Sequence, residues 1–329
     1  MAYKFLMTAP TLGAAGQQVL SEAGCHVDYL TGSLDAQEVE QRMATTAYDA
    51  VISRTVTLSE QAIAACPSLK VICKHGVGVT NIDVAAATAR GIPVLTTPAT
   101  NAQSVAELTI GLMLAASRHL YYFQQEILQG RWTRSSLGGE LFNKRLGLVG
   151  FGEIGQRVAH VAQAIGMSVS FFDPGLAATV EHPGIARLTD INDLFAVSDV
   201  LSLHCPVNKA TQNLLNQQSL SQLPENAVVI NTSRGELIDE EAFIAALRSG
   251  AIAAAGLDTF AVEPLRPDHP FRTFDNVILT PHIGGSTQAA LDAVAHSAAQ
   301  QCLTYLAEQH FAARACVNPD FQQNKELAS

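Results

Sequence analysis

A glycine-rich segment, residues 145–155, constrains the fold of this chain more than any other part of its sequence. The segment reads RLGLVGFGEIG and holds the pattern G-x-G-x-x-G at Gly150, Gly152 and Gly155. A short apolar run precedes the pattern, and apolar residues at helical spacing follow it as far as Gly166. The segment therefore predicts a strand, a tight turn and a helix, which is the start of a dinucleotide-binding βαβ unit.

Each glycine has a physical role in such a unit. Gly150 permits the tight turn, Gly152 lets the backbone approach a pyrophosphate, and Gly155 lets the helix pack on the strand. The helix N-terminus then faces the phosphate charge. Asp173 ends the next apolar run, where a carboxylate accepts hydrogen bonds from a ribose diol and repels a 2′-phosphate. The segment predicts NAD rather than NADP, and a glycine turn without a ligand is the weaker alternative.

The composition bounds the class of protein. With 329 residues, of which 48% are hydrophobic, the chain is long enough for two domains with sizeable cores. Its 20 Lys and Arg against 30 Asp and Glu give a net charge of −10, which argues against nucleic acid or an anionic membrane as a partner.

The six cysteines and the N-terminal segment indicate in which cellular compartment the protein is expected. The cysteines form no C-x-x-C and show no metal-ligand spacing, so we expect no metal and a reducing environment. The N-terminus does not resemble a signal peptide, and no apolar stretch is long enough to span a bilayer. We therefore expect a soluble, cytoplasmic protein.

Short apolar runs alternate with helical patterns along most of the chain. In the N-terminal part, strands are predicted at residues 5–7, 27–30, 50–52, 71–73 and 94–95. This rhythm predicts a parallel sheet with helices on its faces. Pro98 marks a hinge, after which a single long helix is predicted from about Val105 to Gln129.

A second glycine loop, residues 74–83, follows one of these strands and reads KHGVGVTNID. Its two glycines leave backbone N–H groups that can face an anion such as a carboxylate. The loop is equally consistent with an ordinary strand-to-helix turn in which Asp83 caps the helix. The spacing alone does not choose between these interpretations.

Three ionisable residues at or just beyond later strand ends have the types needed for hydride transfer with a 2-hydroxy acid. The Arg234 guanidinium can hold the substrate carboxylate and polarise its carbonyl. His282 can exchange a proton with that carbonyl oxygen, and Glu263, bonded to the other ring nitrogen, can fix the tautomer and stabilise the imidazolium. Among the other histidines, His75 is the only rival because it lies in the glycine loop.

Together these motifs resemble the D-2-hydroxyacid dehydrogenase family, nearest to its D-3-phosphoglycerate dehydrogenase branch. The matching segments keep the family's order, and they are residues 74–83, 105–107, 150–155 with Asp173, 231–235, 256–258 with 263–264, and 281–285. The resemblance implies an α/β fold with two doubly wound parallel-sheet domains. A Rossmann NAD-binding domain, residues 99–285, is inserted into a flavodoxin-like substrate domain made of residues 1–98 and the C-terminal helix segment 286–329.

The resemblance also implies the site residues, with Arg234, Glu263 and His282 as the catalytic trio. The implied cofactor contacts are Val77, Gly150, Gly152, Glu153, Ile154, Gly155, Asp173, Cys205, Thr232, Ser233, Arg234, Asp258, His282, Gly284 and Gly285. The implied substrate contacts are Lys74, Gly76, Val77, Gly78, Asn101, Arg134, Arg234 and His282. The long helix and the arm around Trp132 are implied to form a homodimer interface.

The function predicted from these residues is an NAD-dependent interconversion of a D-2-hydroxy acid and its 2-oxo acid. Lys74 and Arg134 match basic positions near the substrate phosphate in phosphoglycerate enzymes, although both are equally consistent with solvated surface charges. Val77 and Thr80 depart from that branch, which leaves a hydroxypyruvate or glyoxylate reductase as an alternative. A non-catalytic, NAD-sensing protein similar to the corepressors of this fold is a second alternative.

Overall fold

The computed structural model describes residues 2–177 and 182–323. The chain divides into two compact units: unit 1 comprises the described residues of Met1–Asn101 and Thr287–Ser329, and unit 2 comprises those of Ala102–Ser286. The strands of both sheets pair in parallel, and helices lie between most consecutive strands of the described chain. The predicted fold class of two parallel-sheet α/β domains is confirmed.

Unit 1 contains a sheet of five strands in the order β2-β1-β3-β4-β5, the flavodoxin-like order. Its strands are β1 (Lys4–Met7), β2 (His26–Tyr29), β3 (Ala50–Ser53), β4 (Val71–Lys74) and β5 (Val94–Leu95). Its first helices are α1 (Ala14–Glu22), α2 (Ala36–Thr45), α3 (Glu60–Ala65) and α4 (Val84–Ala89). All residues of β3 and β4 are buried, as expected for central parallel strands covered on both faces.

Unit 2 contains seven strands in the order β12-β11-β10-β9-β6-β7-β8. They are β6 (Arg145–Val149), β7 (Ser168–Phe172), β8 (Ile185–Arg187), β9 (Val200–Leu203), β10 (Ala227–Asn231), β11 (Ile252–Leu257) and β12 (Val277–Leu279). The order reverses between β6 and β9, as in Rossmann folds, and the edge of the sheet beyond that switch point is where such folds bind ligands.

Six helices accompany the sheet of unit 2. They are α5 (Ala102–Ser117), α6 (Leu120–Leu128), α7 (Glu153–Ala164), α8 (Ile191–Val197), α9 (Gln217–Leu220) and α10 (Glu240–Ser249). The prediction of one long helix from Val105 to Gln129 is wrong, because the chain turns between α5 and α6. His119 adopts φ +50 there, a left-handed conformation that histidine tolerates better than most side chains and that ends a right-handed helix.

The C-terminal helix α11 (Gln288–Glu308) returns to unit 1 and packs against α1. Its alanines allow a close approach: a Cβ at Gly16 of α1 would lie 2.6 Å from the carbonyl oxygen of Ala295. Ala295, Ala298 and Cys302 are fully buried in the core of unit 1. Within residues 2–177 and 182–323, none of the helices combines the length and the apolar character required to cross a bilayer.

Candidate active site

The glycine turn joins β6 to α7, and packing requires two of its three glycines. Gly150 has φ +93, and a Cβ on it would lie 2.7 Å from the carbonyl carbon of His204. A Cβ on Gly155 would lie 2.5 Å from the oxygen of Gly150, so the helix rests directly on the turn. A Cβ on Gly152 would meet no atom within 4 Å. The turn is closed toward the protein and open at Gly152.

Helix α7 begins at this open position, and its N-terminal N–H groups lack a side-chain cap. Gly152 is the N-cap residue, and within residues 2–177 and 182–323 no side chain caps the first turn. The Glu153 carboxylate turns back along the helix to Arg157, 2.7 Å away. Uncapped N–H groups at a helix start, beside open space, fit the pyrophosphate of a dinucleotide.

Asp173 directly follows β7, and its carboxylate is held against the glycine turn. Its Oδ2 accepts the N–H of Phe151 at 2.8 Å, and its Oδ1 accepts the N–H of Gly175 at 2.9 Å. The Arg187 side chain donates to the carbonyl oxygens of Asp173 and Leu176, which braces the segment behind the carboxylate. A carboxylate so placed retains lone pairs for ribose hydroxyls and repels a further phosphate. The bracing by Arg187 was not predicted.

The neighbouring strand ends of β9 and β10 are tied together. Cys205 is buried, and burial raises the pKa of its thiol to about 11, with the nearby Asp173 charge acting in the same direction. The Ser233 hydroxyl donates to the carbonyl oxygen of Cys205 at 2.7 Å. Thr232 shares a buried hydroxyl contact of 2.8 Å with Thr109 of α5. These predicted cofactor residues thus also hold the edge of the sheet in place.

The turn that carries Arg234 is shaped by the last residue of β10, Asn231, which is fully buried. The Asn231 side chain donates to the Arg234 carbonyl oxygen at 2.8 Å and accepts the Ser233 N–H at 3.0 Å. The Arg234 side chain is exposed, and its Nη1 donates to the Ser233 carbonyl oxygen at 2.6 Å. One hydrogen bond therefore holds the Arg234 guanidinium to its own turn.

His282 lies in a loop that Asp258 organises. Asp258 follows β11 and is 1% exposed; its carboxylate accepts the Thr280 hydroxyl at 2.6 Å and the N–H groups of Ile283 at 2.8 Å and Gly284 at 2.9 Å. Sequence reasoning assigned Asp258 only a cofactor contact. Its second role, holding the loop that carries His282, could have been suspected from its position, because a carboxylate at a strand end can accept N–H groups of a neighbouring loop.

Glu263 and His282, predicted as a pair, lie in contact. Glu263 Oε2 is 2.8 Å from Nδ1 of His282, and Glu263 Oε1 accepts the Phe260 N–H at 3.0 Å. With a carboxylate at Nδ1, the proton of the neutral ring belongs on Nδ1, which leaves Nε2 as the exchanging nitrogen. Both side chains are partly open to solvent, at 46% for His282 and 36% for Glu263. The pair can move a proton to and from a bound molecule.

The second glycine loop lies in unit 1 and uses part of its donor set internally. The Gly76 N–H donates to the Lys74 carbonyl oxygen at 2.9 Å and lies 3.1 Å from the Thr97 hydroxyl. Among the described residues, the N–H groups of Val77 and Gly78 have no acceptor, and Val77 is 49% exposed. The Asp83 carboxylate caps α4, accepting from Ala86 at 2.9 Å. Asp83 therefore caps α4, as one of the two interpretations predicted. The N–H groups of Val77 and Gly78 are the donors left for the predicted anion site.

The remaining predicted substrate residues differ in how accessible they are. The Lys74 ammonium is nearly buried and donates to the Arg54 carbonyl oxygen and the Asn81 side chain, which braces the loop. Arg134 is exposed, and Asn101 is half-buried just before α5. Burial, together with the charge of Arg54, lowers the pKa of the rival His75 to about 4, so its ring is neutral near pH 7.

A metal centre was not expected, and no group of three His, Cys, Asp or Glu side chains in the part of the chain that the structure describes is arranged to hold an ion.

Comparison with known proteins places this geometry in context. A family model described as D-isomer specific 2-hydroxyacid dehydrogenase, NAD binding domain, matches residues 110–284. The chain is 40% identical over 301 residues to a D-3-phosphoglycerate dehydrogenase of Methanocaldococcus jannaschii, covering 91% of this chain and 56% of the relative. It is 42% identical over 248 residues to a hydroxypyruvate reductase of Thermotoga maritima, covering 74% of this chain and 79% of the relative.

Among solved structures, the TT0316 protein of Thermus thermophilus superimposes with a TM-score of 0.84 at 33% identity, covering 95% of this chain and 99% of that one. The chain spans about half the length of two phosphoglycerate dehydrogenase relatives, those of Methanocaldococcus jannaschii and Synechocystis sp..

Proposed function

We propose, because the chain belongs to the D-isomer specific 2-hydroxyacid dehydrogenase family, that it is an oxidoreductase which interconverts a D-2-hydroxy acid and its 2-oxo acid. The family predicted from the sequence motifs is confirmed, and so is NAD as its cofactor. The observation that supports this activity is the 2.8 Å contact between His282 Nδ1 and Glu263 Oε2. The pair lies at the carboxyl edge of the seven-stranded sheet of unit 2.

The residues of unit 2 divide the chemistry between them. NAD, when bound at the glycine turn, supplies the hydride donor or acceptor. The exposed Arg234 guanidinium binds the substrate carboxylate and polarises the carbonyl oxygen. During reduction His282 gives its Nε2 proton to the carbonyl oxygen while the carbonyl carbon accepts a hydride. During oxidation Nε2 takes the proton back from the hydroxyl. Glu263 stabilises the ring in the orientation that both directions need.

The cofactor would be held by the open, uncapped start of α7 and by the carboxylate of Asp173. Asp173 directs two oxygens that are already oriented by backbone N–H groups, so a 2′-phosphate would meet a fixed negative charge. We therefore propose a preference for NAD(H) over NADP(H).

The substrate is proposed to be a small acid, with 3-phosphoglycerate or a related phosphorylated acid as the first candidate. Relatives named D-3-phosphoglycerate dehydrogenase support this candidate. One observation favours the second candidate, an unphosphorylated 2-oxo acid such as hydroxypyruvate or glyoxylate: the Lys74 ammonium, predicted to bind the phosphate, is nearly buried and already donates to two oxygens. Arg134 is the exposed member of the predicted phosphate pair.

The enzyme is proposed to act as a cytoplasmic homodimer. Large apolar side chains are exposed on α6 and the arm that follows it; they are Leu120, Ile127, Leu128, Trp132, Leu137 and Phe142. Exposed apolar side chains so concentrated within one segment mark an interaction surface, and a second copy of the chain would cover it. The six cysteines are all free thiols, which fits the reducing cytoplasm.

The test is to follow NADH oxidation with a panel of 2-oxo acids that includes phosphohydroxypyruvate, hydroxypyruvate and glyoxylate. At least one should be reduced, and His282→Ala should lower kcat by about 10²–10⁴-fold while NADH still binds. His296→Ala, an exposed histidine of α11, serves as the matched control. NADH binding without turnover of any acid would favour the NAD-sensing alternative.

A further inference from the structure

A second carboxylate, Glu240 in the first turn of α10, lies behind the loop that carries Glu263. Glu240 Oε1 accepts the N–H of Ala261 at 3.2 Å, and Glu240 Oε2 lies 3.2 Å from Nε2 of His269. The Glu240 side chain is 23% exposed and that of His269 is 9% exposed. Glu240 therefore joins a nearly buried histidine to the backbone of the loop.

The hydrogen bonds of His269 set the direction of this link. Its Nδ1 accepts the N–H of Phe271 at 3.3 Å, so the proton of the neutral ring belongs on Nε2 and is donated to Glu240. The ring also packs on the Phe271 ring at a centroid distance of 4.7 Å. Both nitrogens are satisfied and the ring is confined, so His269 is a fixed anchor for the Glu240 carboxylate.

The backbone of Phe260 and Ala261 is held from three directions. The Phe260 N–H donates to Glu263 at 3.0 Å, and the Ala261 N–H donates to Glu240. On another side lies Gly235, where any Cβ would overlap the peptide that joins Phe260 to Ala261. Gly235 directly follows Arg234. The Phe260–Ala261 peptide therefore contacts both the Glu263 carboxylate and the turn that carries Arg234, and it fixes their relative position.

We propose that Glu240 and His269 are positioning residues for the reaction: they hold the Phe260–Ala261 backbone and, through it, the Glu263 carboxylate against His282. This inference rests on the proposed function. Neither side chain forms a hydrogen bond with Glu263 or His282, so their effect passes through the loop. Misplacing a reacting group by about 1 Å can cost on the order of 10²-fold in rate, so a partial displacement should lower kcat by about tenfold.

The test variant is Glu240→Gln, which keeps the shape of the side chain. Its amide has one acceptor end for two donors, so either Ala261 or His269 faces an N–H group instead of an oxygen. We expect kcat to fall about tenfold, with the KM for the acid and the Kd for NADH within about threefold. Glu241→Gln is the control: it removes the same charge one residue along α10, from an exposed side chain, and should leave kcat within about twofold.

Two further readouts separate positioning from mere loss of structure. The first is the thermal midpoint of both variants, which reports loss of structure. The second is the isotope effect on kcat with NADH deuterated at the transferred position, which should rise in Glu240→Gln because the chemical step becomes slower. Glu240→Gln is also combined with Glu263→Gln. If Glu240 acts through Glu263, adding Glu240→Gln to the Glu263→Gln variant should lower kcat further by less than about twofold.

The outcomes distinguish the two proposals. If Glu263→Gln is impaired but Glu240→Gln matches its Glu241 control, the positioning role is overturned and the dehydrogenase function stands. Multiplicative losses in the double variant would also overturn it, since Glu240 would then act independently of Glu263. If Glu263→Gln is as active as the unmutated enzyme, the proton-transfer pair of the proposed function itself is wrong.

Discussion

His282 donates its backbone N–H to the carbonyl oxygen of Asp258 at 2.8 Å while adopting φ +53, a left-handed conformation that few side chains occupy. The Asp258 carboxylate accepts three further donors from the same loop. The loop is thus held in an unfavourable backbone conformation by one buried residue, which is common where a side chain must be aimed at a reaction centre.

Asp258→Asn should therefore weaken both the fold and the activity. An amide offers one oxygen in place of two, so at least one of the buried N–H groups loses its acceptor, at a cost of ~1–3 kcal/mol. Urea unfolding should show a lower free energy of unfolding, and kcat should fall because His282 is no longer held. Asp275→Asn, an exposed carboxylate near β12, is the control. Unchanged stability and kcat in Asp258→Asn would show that the loop is held in another way.

The glycines of the nucleotide turn should respond differently to alanine. Gly152→Ala should leave the thermal midpoint nearly unchanged, because its φ of −77 suits alanine and its Cβ points into open space. NADH binding should weaken at least tenfold, since the Cβ takes the space proposed for the pyrophosphate. Gly155→Ala should instead destabilise the protein, because its Cβ would press on the Gly150 oxygen. Titration of NADH fluorescence and thermal unfolding separate the two effects, and tight NADH binding by Gly152→Ala would place the pyrophosphate elsewhere.

Asp173 should determine the choice between NADH and NADPH. Asp173→Asn keeps an oxygen for the Phe151 N–H but removes the charge, so the ratio of kcat/KM for NADH over NADPH should fall by about tenfold or more. Asp193→Asn, an exposed carboxylate of α8, should leave the ratio unchanged. Equal use of both cofactors by the unmutated enzyme would remove this role from Asp173.

Cys205 should resist alkylation in the folded enzyme. Burial raises the pKa of its thiol to about 11, above its ordinary value of 9.0, so at pH 8 the folded protein holds only about 10⁻³ of this residue as the reactive thiolate. Because the folded-state pKa is raised, the thiolate is less abundant in the folded than in the unfolded chain throughout the range from about pH 8 to pH 11. Iodoacetamide labelling followed by mass spectrometry, with and without urea, measures the difference. Equal labelling rates in both conditions would contradict the burial of this thiol.

The periodicity of apolar residues was sufficient to predict most of the fold. The strand predicted at residues 94–95 has the bounds that the structure shows, and those predicted at 5–7, 27–30, 50–52 and 71–73 differ from the observed bounds by one residue at most at each end. Such elements depend on which residues must be buried along a short stretch, and that is written locally in the chain. The order of the polar residues at the strand ends also indicated which edge of the sheet carries the chemistry.

The turn at His119 was missed because no glycine or proline lies at its boundary. The strand Ile185–Arg187 was missed although Pro183 and Gly184 precede it, because three residues are too few to show a period. Tertiary structure also decided how each polar side chain is used. The Gly76 N–H donates to an oxygen of its own loop, whereas Lys74, Asp258 and Glu240 each form a hydrogen bond with a segment that lies elsewhere in the chain. A polar group acquires its partner only when separate strand ends meet at one edge, and that meeting depends on the packing of the whole sheet rather than on neighbouring residues.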